Sequence, residues 1–164
     1  MKIGLIADTH DRLPLIDRVV QELNQRKVDL ALHAGDYIAP FVVSHFKPLN
    51  AKMIGVFGNN DAELNLLRKK FDEIGVQIRG RFADIKTDGL RIALLHGEEE
   101  ELLNSLASSN YYDVIVHAHT HQAKVCKEGK TLLINPGEVC GYLSGCSTFA
   151  VLDGETMNVE VVSL

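Results

Sequence analysis

The 164-residue chain has no tryptophan, only three cysteines and no long apolar run. Each shortage excludes something. A membrane-spanning helix needs about 20 consecutive apolar residues, and no segment approaches that, so no membrane span is expected. Basic runs are missing as well. Lys and Arg number 17 against 22 Asp and Glu, a formal charge of −5, which predicts no strong nucleic-acid binding. Cys126, Cys140 and Cys146 are an odd count at no zinc-ribbon spacing. They read as core thiols in a reducing, cytoplasmic setting. The opening segment reaches the carboxylate of Asp8 too early for a signal peptide. No Pro/Ser-rich linker, internal repeat or low-complexity segment interrupts the chain, so residues 1–164 are expected to form a single domain. What remains is 46% hydrophobic and 24% charged, an ordinary globular composition. Against it stand seven histidines, and their positions carry the information.

Short runs of Val, Ile and Leu recur, and most end in a polar residue. Residues 2–7, 30–32 and 52–57 read as strands. Between the first two, Ile16, Val19, Val20 and Leu23 fall at helical spacing, with Pro14 suited to the first turn. A second helix is expected over about 62–73, with Leu64, Leu67 and Phe71 on one face. This alternation predicts a parallel sheet with helical crossovers. The second half turns β-rich. Residues 82–86 and 90–95 flank Thr87-Asp88-Gly89, a hairpin signal. Leu102, Leu103 and Leu106 suggest a helix, and strands are expected near 114–116, 122–127, 131–134, 148–152 and 157–162. The whole reads as α/β, with two packed sheets and outer helices.

In open α/β sheets, ligands bind beyond the carboxyl ends of the strands. There the chain places Asp8-Thr9-His10, His33-Ala34-Gly35-Asp36, Gly58-Asn59-Asn60-Asp61, His96-Gly97 and His117-Ala118-His119-Thr120-His121. No Lys or Arg stands at these ends. Mixed oxygen and imidazole donors suit first-row divalent metals. If the strands stay extended, Asp8 and His10 share a face, as do His119 and His121, so each pair could chelate one ion. Together with Asp36, Asn59 and His96 they make seven donors, more than one structural zinc uses, which suggests two ions. Singly each motif has an ordinary explanation. Asp8 and His10 can share a hydrogen bond, Gly35-Asp36 can be a turn, and Asp61 reads as the N-cap of the 62–73 helix. Three imidazoles in residues 117–121 are harder to place without a partner.

These motifs, in this order, resemble the calcineurin-like metallophosphoesterases. The resemblance runs from Lys2 to about Leu152 and is nearest the small single-domain bacterial and archaeal phosphodiesterases, where Asn-Pro-Gly-Glu (here 135–138) also recurs. It implies a four-layer α/β/β/α sandwich of two mixed sheets with flanking helices and a metal site at the strand C-terminal ends. It further implies that Asp8, His10 and His121 hold one ion, that Asn59, His96 and His119 hold the second, and that Asp36 bridges them. The implied activity is that of a phosphoric diester hydrolase, in which a hydroxide bridging the two metals attacks phosphorus in line. Two cations about 3.5–4 Å apart acidify a shared water and clamp the phosphate oxygens. Phosphoryl transfer needs mainly positioning and charge stabilisation, so the missing Lys and Arg do not count against an anionic substrate. Manganese is the first expectation among manganese, nickel, iron, cobalt and zinc. The expected substrate is a small phosphodiester, and a homodimer is compatible with the resemblance.

Two positions depart from the family pattern. Asn60 stands where the family has a histidine credited with protonating the leaving group or stabilising the transition state. An amide donates a hydrogen bond but no acidic proton near neutral pH, so slow turnover of poor leaving groups is expected from Asn60. Ala118 replaces a usual glycine at little cost. Of the remaining histidines, His33 reads as a core imidazole or a support for Asp36, His117 as a support, and His45 as an exposed helical residue. Cys140 is expected near the metals without belonging to the ligand pattern. Glu98–Glu101 read as a solvated helix start, one that would repel highly anionic substrates if it bordered the cleft. Two other functions compete: a non-catalytic interaction scaffold, as in a retromer subunit with this sandwich, and a weak nuclease on short oligonucleotides. All seven donor positions are filled, which favours the enzyme.

Overall fold

The computed structural model describes all residues, 1–164. Six strands form one mixed sheet in the order β11-β10-β1-β2-β3-β4. They are β1 (Lys2–Ile6), β2 (Leu30–His33), β3 (Lys52–Gly55), β4 (Gln77–Ile78), β10 (Thr148–Asp153) and β11 (Val159–Ser163). The first four run parallel, while β10 and β11 add antiparallel at one side. The second sheet has the order β5-β6-β7-β9-β8. Its strands are β5 (Phe82–Thr87), β6 (Leu90–Leu95), β7 (Val114–Val116), β8 (Lys124–Glu128) and β9 (Thr131–Asn135).

Strand alternation builds the layers. Ile3, Leu5, Leu30 and Leu32 point toward Ile92, Leu94, Val114, Val116 and Ile134 of the other sheet, and together they make the central core. The intervening residues Ile6, Ala31 and Met53 face outward against the helices α1 (Leu13–Gln25), α2 (Val43–Phe46) and α3 (Leu64–Glu73). On the far side, Ala93, Leu95, Ile115 and Leu133 pack against α4 (Glu100–Ser108) through Ala107. Both faces of each central strand are therefore buried, which is why these strands read as continuous apolar runs rather than alternating ones. The result is the expected α/β/β/α sandwich of two mixed sheets. Gly4 is needed where β1 meets α1, because a Cβ there would collide with the Leu23 side chain.

Some local readings differ. Helix α3 starts at Leu64 rather than near 62, and its N-cap is Glu63, not Asp61. The two-residue β4 was not expected, having too few residues to show a period. Of the three cysteines, only Cys140 is a core thiol; Cys126 and Cys146 are exposed. Cys126 lies on β8, an edge strand exposed along its whole length, so its side chain has no second layer to pack against.

Candidate metal centre

The carboxyl ends of β1, β2, β3, β6 and β7 meet at one edge of the two sheets, and the following loops interlock through backbone hydrogen bonds. The amides of Asp8, Thr9 and His10 donate to the carbonyls of Gly35 and Asp36 at 3.0–3.1 Å. Ala118 N donates to His96 O at 2.8 Å, and Cys140 N to Asp8 O at 3.0 Å. The strands do not continue as extended chain. Asp8, His10, Asp36, His119 and His121 all have positive φ, between 39° and 68°. The expectation that each Asp-x-His or His-x-His pair shares a strand face is thus corrected: tight left-handed turns bring the side chains together. Such backbone costs on the order of 1 kcal/mol or more per residue and collects at functional sites.

The resulting cluster is dense. Asp36 Oδ2 lies 3.4 Å from His10 Nε2 and 3.4 Å from His96 Nε2. Asp8 Oδ1 lies 3.6 Å from His121 Nε2, 3.7 Å from His10 Nε2 and 4.0 Å from His96 Nε2. His119 Nδ1 and Asn59 Oδ1 are 3.0 Å apart, and the His96 and His119 rings meet edge to face at 5.2 Å. All seven residues expected as donors therefore converge. Both oxygens of Asp8, together with Nε2 of His10 and of His96, are buried without a hydrogen-bond partner.

This donor set fits divalent cations. Two donors each about 2.1 Å from an ion stand about 3.0 Å apart at a right angle and about 3.4 Å apart at a tetrahedral one. Within the groups expected to share an ion the separations run from 3.0 to 3.7 Å, at or slightly beyond those of neighbouring ligands, and the 4.0 Å pair, Asp8 and His96, falls in different groups. The second nitrogen of two rings is already engaged. His96 Nδ1 donates to Ala34 O at 2.8 Å, and His121 Nδ1 to Glu138 Oε2 at 2.7 Å. In the neutral rings this turns the Nε2 lone pairs toward the carboxylates, an arrangement that either a proton or a metal cation between them relieves.

The metal-free electrostatics agree. Burial lowers the His10 pKa, but the Asp36 and Asp8 carboxylates outweigh it and raise the pKa to about 9. Burial opposes ionisation of Asp36 too, yet His10, His96 and the Asn60 amide hold its carboxyl well below the usual carboxylate range.

The other singled-out residues have defined places. Asn60 is exposed, and its backbone N and side-chain Nδ2 donate to Asp36 Oδ1 and Oδ2 at 2.9 and 2.7 Å. Asp61 is no helix cap. Its carboxylate accepts from the amides of Asp36, Tyr37, Ile38 and Gly58 at 2.6–3.1 Å, pinning the β2 and β3 loops together. Gly58 must be glycine in this junction, since a Cβ would strike the Asp36 carboxylate. His33 is fully buried, stacks on Tyr37 at 3.8 Å and accepts from Gly35 N at 3.1 Å, so it is a core imidazole. His45 is half-buried beside Asp17, 2.7 Å away, rather than fully exposed. Glu100 and Glu101 form the first turn of α4 as expected. Glu98, Glu100, His117 and Lys124 line a cleft of about 500 Å³ that reaches His119.

Sequence reading gave no role to Glu138, Arg12 or Arg81. Glu138 is fully buried and accepts from His121, Cys140 Sγ, the Ser144 hydroxyl and the amides of Tyr142, Leu143 and Ser144. Burial works against its charge, but these donors bring its pKa down to about 2. The available signal was a carboxylate directly after Asn-Pro-Gly, embedded in otherwise buried chain. Arg12 bonds the Cys140 carbonyl and lies over the Tyr142 ring. Arg81 bonds the Gly58 carbonyl at 3.1 Å. Both arrive from outside the strand ends, where no basic residue was visible.

A profile of the calcineurin-like phosphoesterase superfamily domain matches residues 1–157. Phosphodiesterase MJ0936 of Methanocaldococcus jannaschii is 38% identical over 165 aligned residues, covering 100% of this chain and 99% of the relative. A probable metallophosphoesterase of Methanothermobacter thermautotrophicus is 30% identical, covering 99% and 92%. Among solved structures, an archaeal phosphodiesterase superposes with a TM-score of 0.96 at 36% identity over the full length of both chains. The chain belongs to the calcineurin-like phosphoesterase superfamily.

Proposed function

We propose that this superfamily member is a dinuclear metal-dependent phosphodiesterase acting on small phosphodiesters, with residues 1–164 working as one domain. The observation that carries the reading is the buried set of unpartnered donors on Asp8, His10 and His96, spaced as neighbouring ligands of a cation. Asp8, His10 and His121 would hold one ion, and Asn59, His96 and His119 the other. Asp36 would bridge them, its Oδ2 lying equally far from His10 and His96. The relatives' names, phosphodiesterase and probable metallophosphoesterase, support the diester reaction.

When bound, such ions supply charge to the phosphate oxygens and acidify water for in-line displacement. The chain's own residues do the positioning. Asn60 holds both oxygens of Asp36, Ala34 O orients His96, and Glu138 orients His121. Asn59 adds a neutral oxygen, which leaves its ion more electrophilic than a carboxylate would. Asn60 spends its amide on Asp36 and brings no acidic proton to a leaving group. Diesters with good leaving groups are therefore the favoured substrates. Manganese, nickel, iron, cobalt and zinc all suit these oxygen and imidazole donors, with manganese as the first expectation.

The test is to strip the protein of metal, reconstitute it with each ion in turn and assay a panel of aryl and alkyl diesters. Turnover should return only with metal and be abolished in Asp36→Ala under every ion. Diesterase activity persisting in that variant would refute the reading.

A further inference from the structure

We propose that the cleft beside His119 is a subsite for one ester group of the substrate, and that it selects an uncharged, hydroxyl-rich alcohol such as a sugar or polyol. The inference rests on the diesterase reading above and names the alcohol that the enzyme takes. The cleft encloses about 500 Å³, within the range of about 300–1,000 Å³ for small-molecule sites. Its walls continue directly from the expected ligands. Gly97 and Glu98 follow His96, His117 and Ala118 precede His119, and Gln122 follows His121. Helix α4 adds Leu103 and Asn104. The wall over residues 118–120 is held by Asn135, which is fully buried. Its amide donates to Ala118 O at 3.1 Å and to Thr120 Oγ1 at 3.0 Å, and its carbonyl oxygen accepts from Gly137 N at 2.9 Å.

The lining chemistry decides the ligand. Small-molecule pockets are usually apolar and aromatic, but here Leu103 and Ala118 are the only apolar residues and no Phe or Tyr is present. An alkyl or aryl group would displace water from these polar side chains without replacing its hydrogen bonds. The carboxamides of Asn104 and Gln122 each donate and accept, Lys124 donates and Glu100 accepts. An alcohol hydroxyl also donates and accepts, so a group carrying several can pair with all of them. Charge narrows the class further. Glu98 is paired with Arg81 at 3.1 Å, which leaves Glu100 and Lys124 as one charge of each sign. That balance suits an uncharged group rather than one bearing a further phosphate. The cleft recognises one ester group, and the other stays subject to the leaving-group demand set by Asn60.

The test uses two diesters that share para-nitrophenol as leaving group. One joins the phosphate to the primary hydroxyl of a hexose, the other to cyclohexylmethanol. Because the departing group is the same, their difference reads the other ester alone. Each hydrogen bond gained is worth about 2–10-fold, so the manganese-loaded protein should prefer the hexose diester by about 10-fold or more in kcat/KM, carried by KM. Asn104→Ala and Gln122→Ala, both at exposed positions, should each lower that preference by about 2–10-fold. Calorimetry should find the hexose monophosphate bound more tightly than cyclohexylmethyl phosphate by a similar factor, and less so in the variants. Metal-dependent turnover with equal kcat/KM for the two diesters, or with a preference untouched in both variants, would overturn the subsite and leave the diesterase reading standing. No turnover of either diester with any of the candidate metals would overturn both.

Discussion

His121 Nδ1 donates to Glu138 Oε2 across 2.7 Å, and neither group is more than slightly exposed. The direction of the bond is fixed because Glu138 is ionised, with a pKa near 2, and can only accept. His121 is thereby locked in the tautomer that leaves Nε2 free, facing Asp8 at 3.6 Å. Glu138 also gathers the amides of Tyr142, Leu143 and Ser144, so one carboxylate ties the ring to the loop beside it.

Removing that carboxylate should loosen the metal. Partners that orient a ligating histidine are worth about 10–100-fold in metal affinity or activity. Glu138→Gln keeps the size and part of the hydrogen bonding and should weaken metal binding by roughly that factor, as read by chelator competition. Unchanged affinity would show that Glu138 serves the loop alone.

Proton release should accompany metal uptake. In the metal-free protein His10 titrates near 9, so at neutral pH it carries a proton that an entering ion must displace. Calorimetric titration in two buffers of different ionisation enthalpy should detect at least one released proton at pH 7. The same pair sets the stability of the metal-free chain. His10 has a folded pKa raised from 6.5 to about 9, so its contribution is complete below 6.5 and lost as pH rises through 9. Asp36, depressed from 3.8, contributes above that value and loses its contribution as pH falls through its folded pKa. The ion-pair contribution should therefore plateau between these limits, and denaturant midpoints of the metal-free protein should decline from pH 6.5 toward 9.

Asp61 should matter for folding more than a helix cap would. Its carboxylate serves four amides from two loops, and each buried donor left unsatisfied costs about 1–3 kcal/mol. Asp61→Ala should destabilise by about 3 kcal/mol or more, measured by urea unfolding. A loss near 1 kcal/mol, as for an ordinary cap, would contradict this role.

Leaving-group dependence should expose the missing histidine. General acid catalysis contributes about 10²–10⁴-fold, and Asn60 directs its amide to Asp36 rather than supplying a proton. Alkyl diesters should therefore turn over far more slowly than aryl diesters. Equal rates, with chemistry limiting, would mean that another group protonates the leaving oxygen.

The layers, and the gathering of the expected donor residues at one edge, were legible because both depend on short-range order. Apolar runs such as 2–7 and 30–32 ended in donor-rich residues, and five such ends implied a common edge. The means of convergence was hidden. Left-handed backbone at Asp8, His10, His119 and His121 is tolerated by Asp and His but not announced by the apolar pattern, so the extended reading had the wrong geometry for both pairs. The support network was hidden too, because it joins distant residues: Asp61 reaches back to Asp36–Ile38, Arg12 crosses to Cys140, and Glu138 holds His121. Each of these residues has an ordinary local explanation until its partner is known.

The most direct test of the central claim is anomalous diffraction at the manganese edge from crystals of the reconstituted protein. The account predicts two peaks per chain, about 3.5–4 Å apart, one on each side of the Asp36 carboxylate. A single peak, or ions bound away from Asp36, would contradict it.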